Sequence, residues 1–140
     1  KNPAMSAKVL ENAITDDQIL FDSKNAKLLS DSWLFAKERI KSLDVIEESL
    51  SMNPNEEKLV NQYVNIAFSA FEWKEVINGI RKAEKIGIED DGKHDLMIGI
   101  AFFETKDLKN AEDSFIKASK SKKYADQGKA WLEYLNALKA

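Results

Sequence analysis

Residues 91–120, DGKHDLMIGIAFFETKDLKNAEDSFIKASK, read as two amphipathic helices back to back, and the rest of the chain takes its register from them. The landmarks are Ile98, Gly99 and Phe102 in the first helix, then Leu108, Ala111, Phe115 and Ala118 in the second. Gly99 is flanked by apolar residues inside a helical pattern. Glycine there costs roughly 1 kcal/mol relative to alanine, which predicts a neighbouring helix that leaves no room for a side chain. Ala111 and Ala118, seven residues apart with Phe115 between them, give the second helix a small-large-small packing face.

The same landmarks recur upstream. Leu29, Trp33, Ile46 and Ser49 return as Tyr63, Ala67, Ile80 and Ala83 after 34 residues, and as Ile98, Phe102, Phe115 and Ala118 after 35 more. Turns between helices recur as well. Glu72-Trp73 and Asp107-Leu108 hold one place in their copies, and Glu38-Arg39 holds it less faithfully in the first. Pro54 stops the second helix of the first copy where the repeat has to turn. A period of 34 residues with this order of large, small and aromatic positions resembles the tetratricopeptide repeat. The resemblance covers three copies, about residues 23–55, 56–90 and 91–122, with Val64 and Val76 standing where the pattern has small residues at the helix crossing. It implies an all-α chain, a right-handed α-α superhelix (a tetratricopeptide repeat solenoid) of about nine helices. Helices of this length are marginal alone in water, so each would bury its apolar stripe against the next. The first helix of each pair would line the concave face. A generic four-helix bundle would not require the recurrence.

The flanks extend the pattern. Residues 4–14, AMSAKVLENAI, have helical apolar spacing and read as the second helix of a repeat whose first helix lies upstream of Lys1. Met5, Val9, Leu10 and Ile14 would then lack cover, an edge suited to self-association. Lys1 in place of an initiator methionine reads as a processed or excised chain, from which any signal peptide or membrane anchor could have been removed. After Thr15, Asp16 and Asp17 a short helix is expected at residues 18–21, completing a remnant over residues 1–22, and Asp22 or Ser23 caps the helix that follows. Gly87 suits a left-handed helix end, and residues 88–92 form the loop that carries the one-residue insertion. Residues 123–140 hold a C-terminal capping helix with Trp131, Leu135 and Leu138 on one stripe.

Composition bounds the chemistry. With 140 residues, 44% hydrophobic and 32% charged, the chain suits one soluble domain with a continuous core. A net charge of −3 and a pI near 5.3 argue against a nucleic-acid footprint, and the lysine runs at residues 106–109 and 117–123 carry no interleaved aromatics. No apolar run approaches the ~18 residues of a membrane span, the densest being residues 97–103. Absence of cysteine excludes disulfides, thiolate metal sites and cysteine nucleophiles. His94, the only histidine, reads as a solvated helix-start residue, and Glu89-Asp90-Asp91 as a solvated turn in which Asp90 or Asp91 caps the next helix. The five glycines are isolated, so no phosphate loop forms, and Ser69 and Ser114 have no histidine in a triad pattern. These readings name no catalytic residue, metal ligand or cofactor, and point to a non-enzymatic protein.

The informative surface is the concave one. Its candidates on the first helices are Lys24, Lys27, Asp31, Leu34 and Phe35, then Lys58, Asn61, Asn65 and Phe68, then Lys93, Leu96, Met97, Ile100 and Phe103. Leu34, Phe68, Ile100 and Phe103 predict an apolar floor rimmed by lysine and asparagine, a groove for a peptide or a helix. Lys27 and Lys93 fall where a carboxylate-clamp tetratricopeptide domain places lysines. Asp31, Gln62 and Met97 replace its asparagines and arginine, which argues against such a clamp.

Over nearly the whole chain there is a closer resemblance. Residues 25–50 (NAKLLSDSWLFAKERIKSLDVIEESL), 71–87 (FEWKEVINGIRKAEKIG) and 90–135, which end in the Trp131 and Tyr134 helix, resemble the C-terminal part of bacterial tetratricopeptide proteins encoded beside TonB energy-transduction systems. What that implies is a periplasmic or membrane-associated, non-enzymatic accessory of a Gram-negative TonB-ExbB-ExbD uptake system, with a protein or peptide of that system as partner. The other readings are an architectural or oligomerisation segment of a larger periplasmic protein, and a generic peptide-binding adaptor.

Overall fold

The computed structural model describes residues 2–140, which form eight α-helices and no strand. These are α1 (Pro3–Thr15), α2 (Ser23–Phe35), α3 (Arg39–Met52), α4 (Glu57–Ser69), α5 (Trp73–Lys85), α6 (Lys93–Glu104), α7 (Leu108–Ser119) and α8 (Ala125–Lys139). The all-helical expectation holds; the count of about nine does not. The missing element is the short helix at residues 18–21. Asp17 takes a left-handed φ of 57°, Gln18 N–H donates to the Ala13 carbonyl at 2.8 Å, and the chain then extends into the Asp22 cap. Too few residues remain between these two fixed points to close and propagate a helical turn.

Local chemistry sets the helix ends. Asn2 Oδ1 accepts from the Ala4 and Met5 amides with Pro3 in the first turn, and the Asp22 and Asp107 carboxylates accept from Asn25 N and Asn110 N. The turn within each helix pair has one design. Glu38 N donates to Trp33 O at 2.9 Å and Asp107 N to Phe102 O at 2.8 Å, with Lys37 and Lys106 left-handed at φ 63° and 66°. Phe71, one period from each, has φ 59°. None of the three is glycine, so backbone hydrogen bonds hold a conformation that ordinarily costs about 1–2 kcal/mol in a non-glycine residue. Gly87, at φ 80°, ends α5 as its sequence position predicts.

Two compact units divide the chain, one ending at Phe71 and the other running from Glu72 to Ala140, so the boundary falls inside residues 56–90, between α4 and α5. In the first unit α1 packs on α2, α2 on α3 and α3 on α4. Ser30 and Ser42, both fully buried, bring α2 and α3 together: their hydroxyls are 2.7 Å apart, and each also lies within reach of the other's carbonyl. Trp33, Leu29, Ala26, Ala7 and Val45 form a core cluster against which Leu10 and Ile14 pack. Met5 and Val9 remain 64% and 65% exposed, so the expected uncovered edge is present in two of its four residues.

The second unit stacks α5 on α6, α6 on α7 and α7 on α8. Gly99 meets its expectation, since a Cβ there would lie 2.5 Å from the ring of Phe115 on α7. That ring stacks in turn on Trp131 of α8, at 5.1 Å and 9°. Gly128 lets α8 approach the backbone of α7; a Cβ would stand 2.5 Å from Ser119 N. Every one of the recurring landmarks, four in each of three copies, is buried. The architecture is therefore repeat-like in its helices, turns and buried positions alike.

Candidate functional site

The predicted surface residues separate by unit. In the first, Lys27, Asp31 and Leu34 of α2 face Lys58, Asn61, Gln62, Asn65 and Ile66 of α4 across a concavity of about 380 Å3. Six of these eight were expected from the repeat register, and the same register could have supplied Gln62 and Ile66 as neighbours of Asn65 on α4. Helical spacing aligns them: Lys58, Asn61 and Asn65 lie at i, i+3 and i+7 on one face. Asp31 is already engaged, accepting from Lys27 Nζ at 2.9 Å and from Gln62 Nε2 at 3.1 Å. No side-chain partner holds Lys58, Asn61 or Asn65 among the described residues. The concavity thus offers one unpaired cation and two amides, each amide both donor and acceptor, over a floor supplied by Leu34 and Ile66.

Other expected residues are placed differently. Phe35 is 79% exposed and borders two shallow recesses, one beside Asp31 and Leu34 and one beside Pro3, Ser6 and Ser32. Phe68 is half-buried in the last turn of α4, and Lys24 is exposed. Met97, expected on the binding face, is only 6% exposed and belongs to the core, because it shares the inward side of α6 with Ile98 and Ala101. Lys93 is exposed in the first turn of α6, and Ile100 is half-buried. Phe103 lies against α8, with Trp131 at 5.3 Å and Tyr134 at 5.7 Å between ring centroids.

His94 corrects another expectation. Its side chain is 12% exposed and not solvated, and its Nδ1 lies 3.0 Å from Asp90 Oδ2. Asp90 carries the loop: its carboxylate accepts from Gly92 N at 3.0 Å and His94 N at 2.7 Å, capping α6 from outside the helix, while Asp91 pairs with Lys123 at 3.4 Å. Next to this pair, burial pushes the Asp95 carboxyl above its ordinary range. Asp90 and Glu84 add to the shift, while Lys117 and His94 oppose it.

No protein-family model matches the chain, and no curated protein matches it. Among the described residues no three histidines or carboxylates gather as metal ligands, and no helix is long and apolar enough to cross a membrane.

Proposed function

We propose that this chain is a non-enzymatic binding module of the tetratricopeptide type, holding an extended polypeptide segment in the recess between α2 and α4. The observation that supports it is the row of unpaired Lys58, Asn61 and Asn65 side chains above an apolar floor. Asparagine amides at helical spacing can pair with both the N–H and the C=O of a peptide backbone, while Leu34 and Ile66 receive its apolar side chains. Asp31 keeps Lys27 and Gln62 in place and gives the recess mixed polarity, so a backbone suits it better than a dense anionic cluster.

The natural partner in this reading is a periplasmic segment of a TonB-type transport system, as the sequence resemblance implies. Titrating the periplasmic domains of TonB and ExbD against the chain tests both parts. Binding is expected with at least one, weakened about tenfold or more by Asn61→Ala with Asn65→Ala at an unchanged helical spectrum. Binding indifferent to that pair would place the contact elsewhere, and binding to neither domain would remove the TonB assignment.

A further inference from the structure

A second recess lies in the second unit, where α8 meets the end of α6, and it differs in kind from the amide-lined one. Its walls are the rings of Phe103, Trp131 and Tyr134 and the methyl of Ala130, around about 320 Å3. Phe103 is inclined at 58° to Trp131 and 63° to Tyr134, and Trp131 at 84° to Tyr134, with centroids 5.3 to 5.9 Å apart. Tyr134 meets both other rings edge to face rather than in a stack, and an aromatic ring carries the negative side of its quadrupole on its face. The cluster is held from behind: Trp131 stacks on Phe115, whose ring occupies the space that Gly99 leaves. A ligand would therefore meet a preorganised surface.

Charge around the recess favours one sign. On the surface of α8 the residues four before and three after Ala130 are Asp126 and Glu133, its immediate neighbours on that face. Neither has an ion-pair partner among the described residues. Lys129 lies about 100° round the helix from Ala130, against about 40° for Asp126 and about 60° for Glu133, at about 100° per residue. Lys139 is taken by Glu112 at 2.9 Å. At the end of α6, Glu104 and Lys106 balance each other, and Phe103 sits in the last turn, the negative end of the helix dipole.

We propose that this recess binds a small organic cation, a trimethylammonium or similarly alkylated ammonium group, against its three aromatic rings with Asp126 and Glu133 as attracting charges. Alkylated ammonium is weakly hydrated and fits apolar walls, while the rings replace the water it loses. The site is independent of the α2–α4 recess and stands or falls separately.

The probe is choline, and its comparison is 3,3-dimethylbutan-1-ol, which has the same shape without the charge. Titration followed by chemical shifts of the Trp131 indole and the Tyr134 ring should show choline binding about tenfold tighter than the alcohol. Equal affinities would make this a plain apolar recess and overturn the proposal, as would no binding by choline. Tyr134, 50% exposed, can be changed without disturbing the core. Tyr134→Leu should weaken choline about tenfold and Glu133→Gln by a smaller factor, with Lys129→Ala neutral. Unchanged affinity in Tyr134→Leu would overturn it. So would tighter binding of acetyl-trimethyllysine methylamide than of choline, which would assign the cation to a protein chain instead of a small molecule.

Discussion

Gly99 sits mid-helix in α6, where alanine would ordinarily gain about 1 kcal/mol. Here the added methyl would come 2.5 Å from the Phe115 ring, and that ring cannot retreat because it is fully buried and stacked on Trp131. Gly99→Ala should therefore destabilise, by about 1–3 kcal/mol, and Gly99→Leu by more; urea midpoints at an unchanged slope measure both. Asp95, two positions from Met97 in the same helix, makes stability depend on pH. Its carboxyl is raised in the folded state, so the native chain holds that proton more tightly than the unfolded one. Stability is thus greatest with Asp95 protonated, and is lost as pH rises from the ordinary value of 3.8 through the raised native one. Asp95→Asn should remove that loss: its advantage over the natural chain grows with pH across the window and then levels. Urea melts at a series of pH values would show a constant difference if Asp95 were not the cause.

Helix crossings decide how the pairs close, and the α2–α3 crossing is held by a serine pair. Ser30 and Ser42 meet with 2.7 Å between hydroxyls, so Ser30→Val puts a second branch where there is no space and should cost about 1–3 kcal/mol in denaturant melts. The crossing was within reach of the sequence: the register that pairs Leu29 with Ile98 also aligns Ser30 with Val64 and Gly99, and Ser42 with Val76 and Ala111. Glycine inside a helix announces a close approach, whereas serine is ordinary on a surface, so Gly99 is legible in the sequence and Ser30 is not. By the same logic Gly128 marks the close approach of α8 to α7. The left-handed turns at Lys37, Phe71 and Lys106 were not legible, because backbone hydrogen bonds alone select that conformation and no glycine or asparagine marks it. Among the site residues, helical spacing brought Lys58, Asn61 and Asn65 together correctly, since periodicity fixes what shares a face. Burial of Met97 depends on which neighbour packs there, and His94 on a loop carboxylate, and periodicity encodes neither.

Across the molecule, stability should be graded rather than uniform, because stacked helices take support from their neighbours. Within the first unit, α1 has Ala7 as its one fully buried residue and leaves Met5 and Val9 exposed, while α3 buries six residues. Native-state amide exchange should show α1 opening at a lower free energy than α3; equal protection would mean the unit opens only as a whole. The division at Phe71 also distributes the three tryptophans: Trp33 alone belongs to the first unit, Trp73 and Trp131 to the second. Trp33 is 2% exposed, so its emission should lie at short wavelength and resist quenching by acrylamide. A chain carrying Trp73→Phe and Trp131→Phe would then fluoresce from the first unit alone, turning the melting of one half of the protein into an optical signal that the other half does not contaminate.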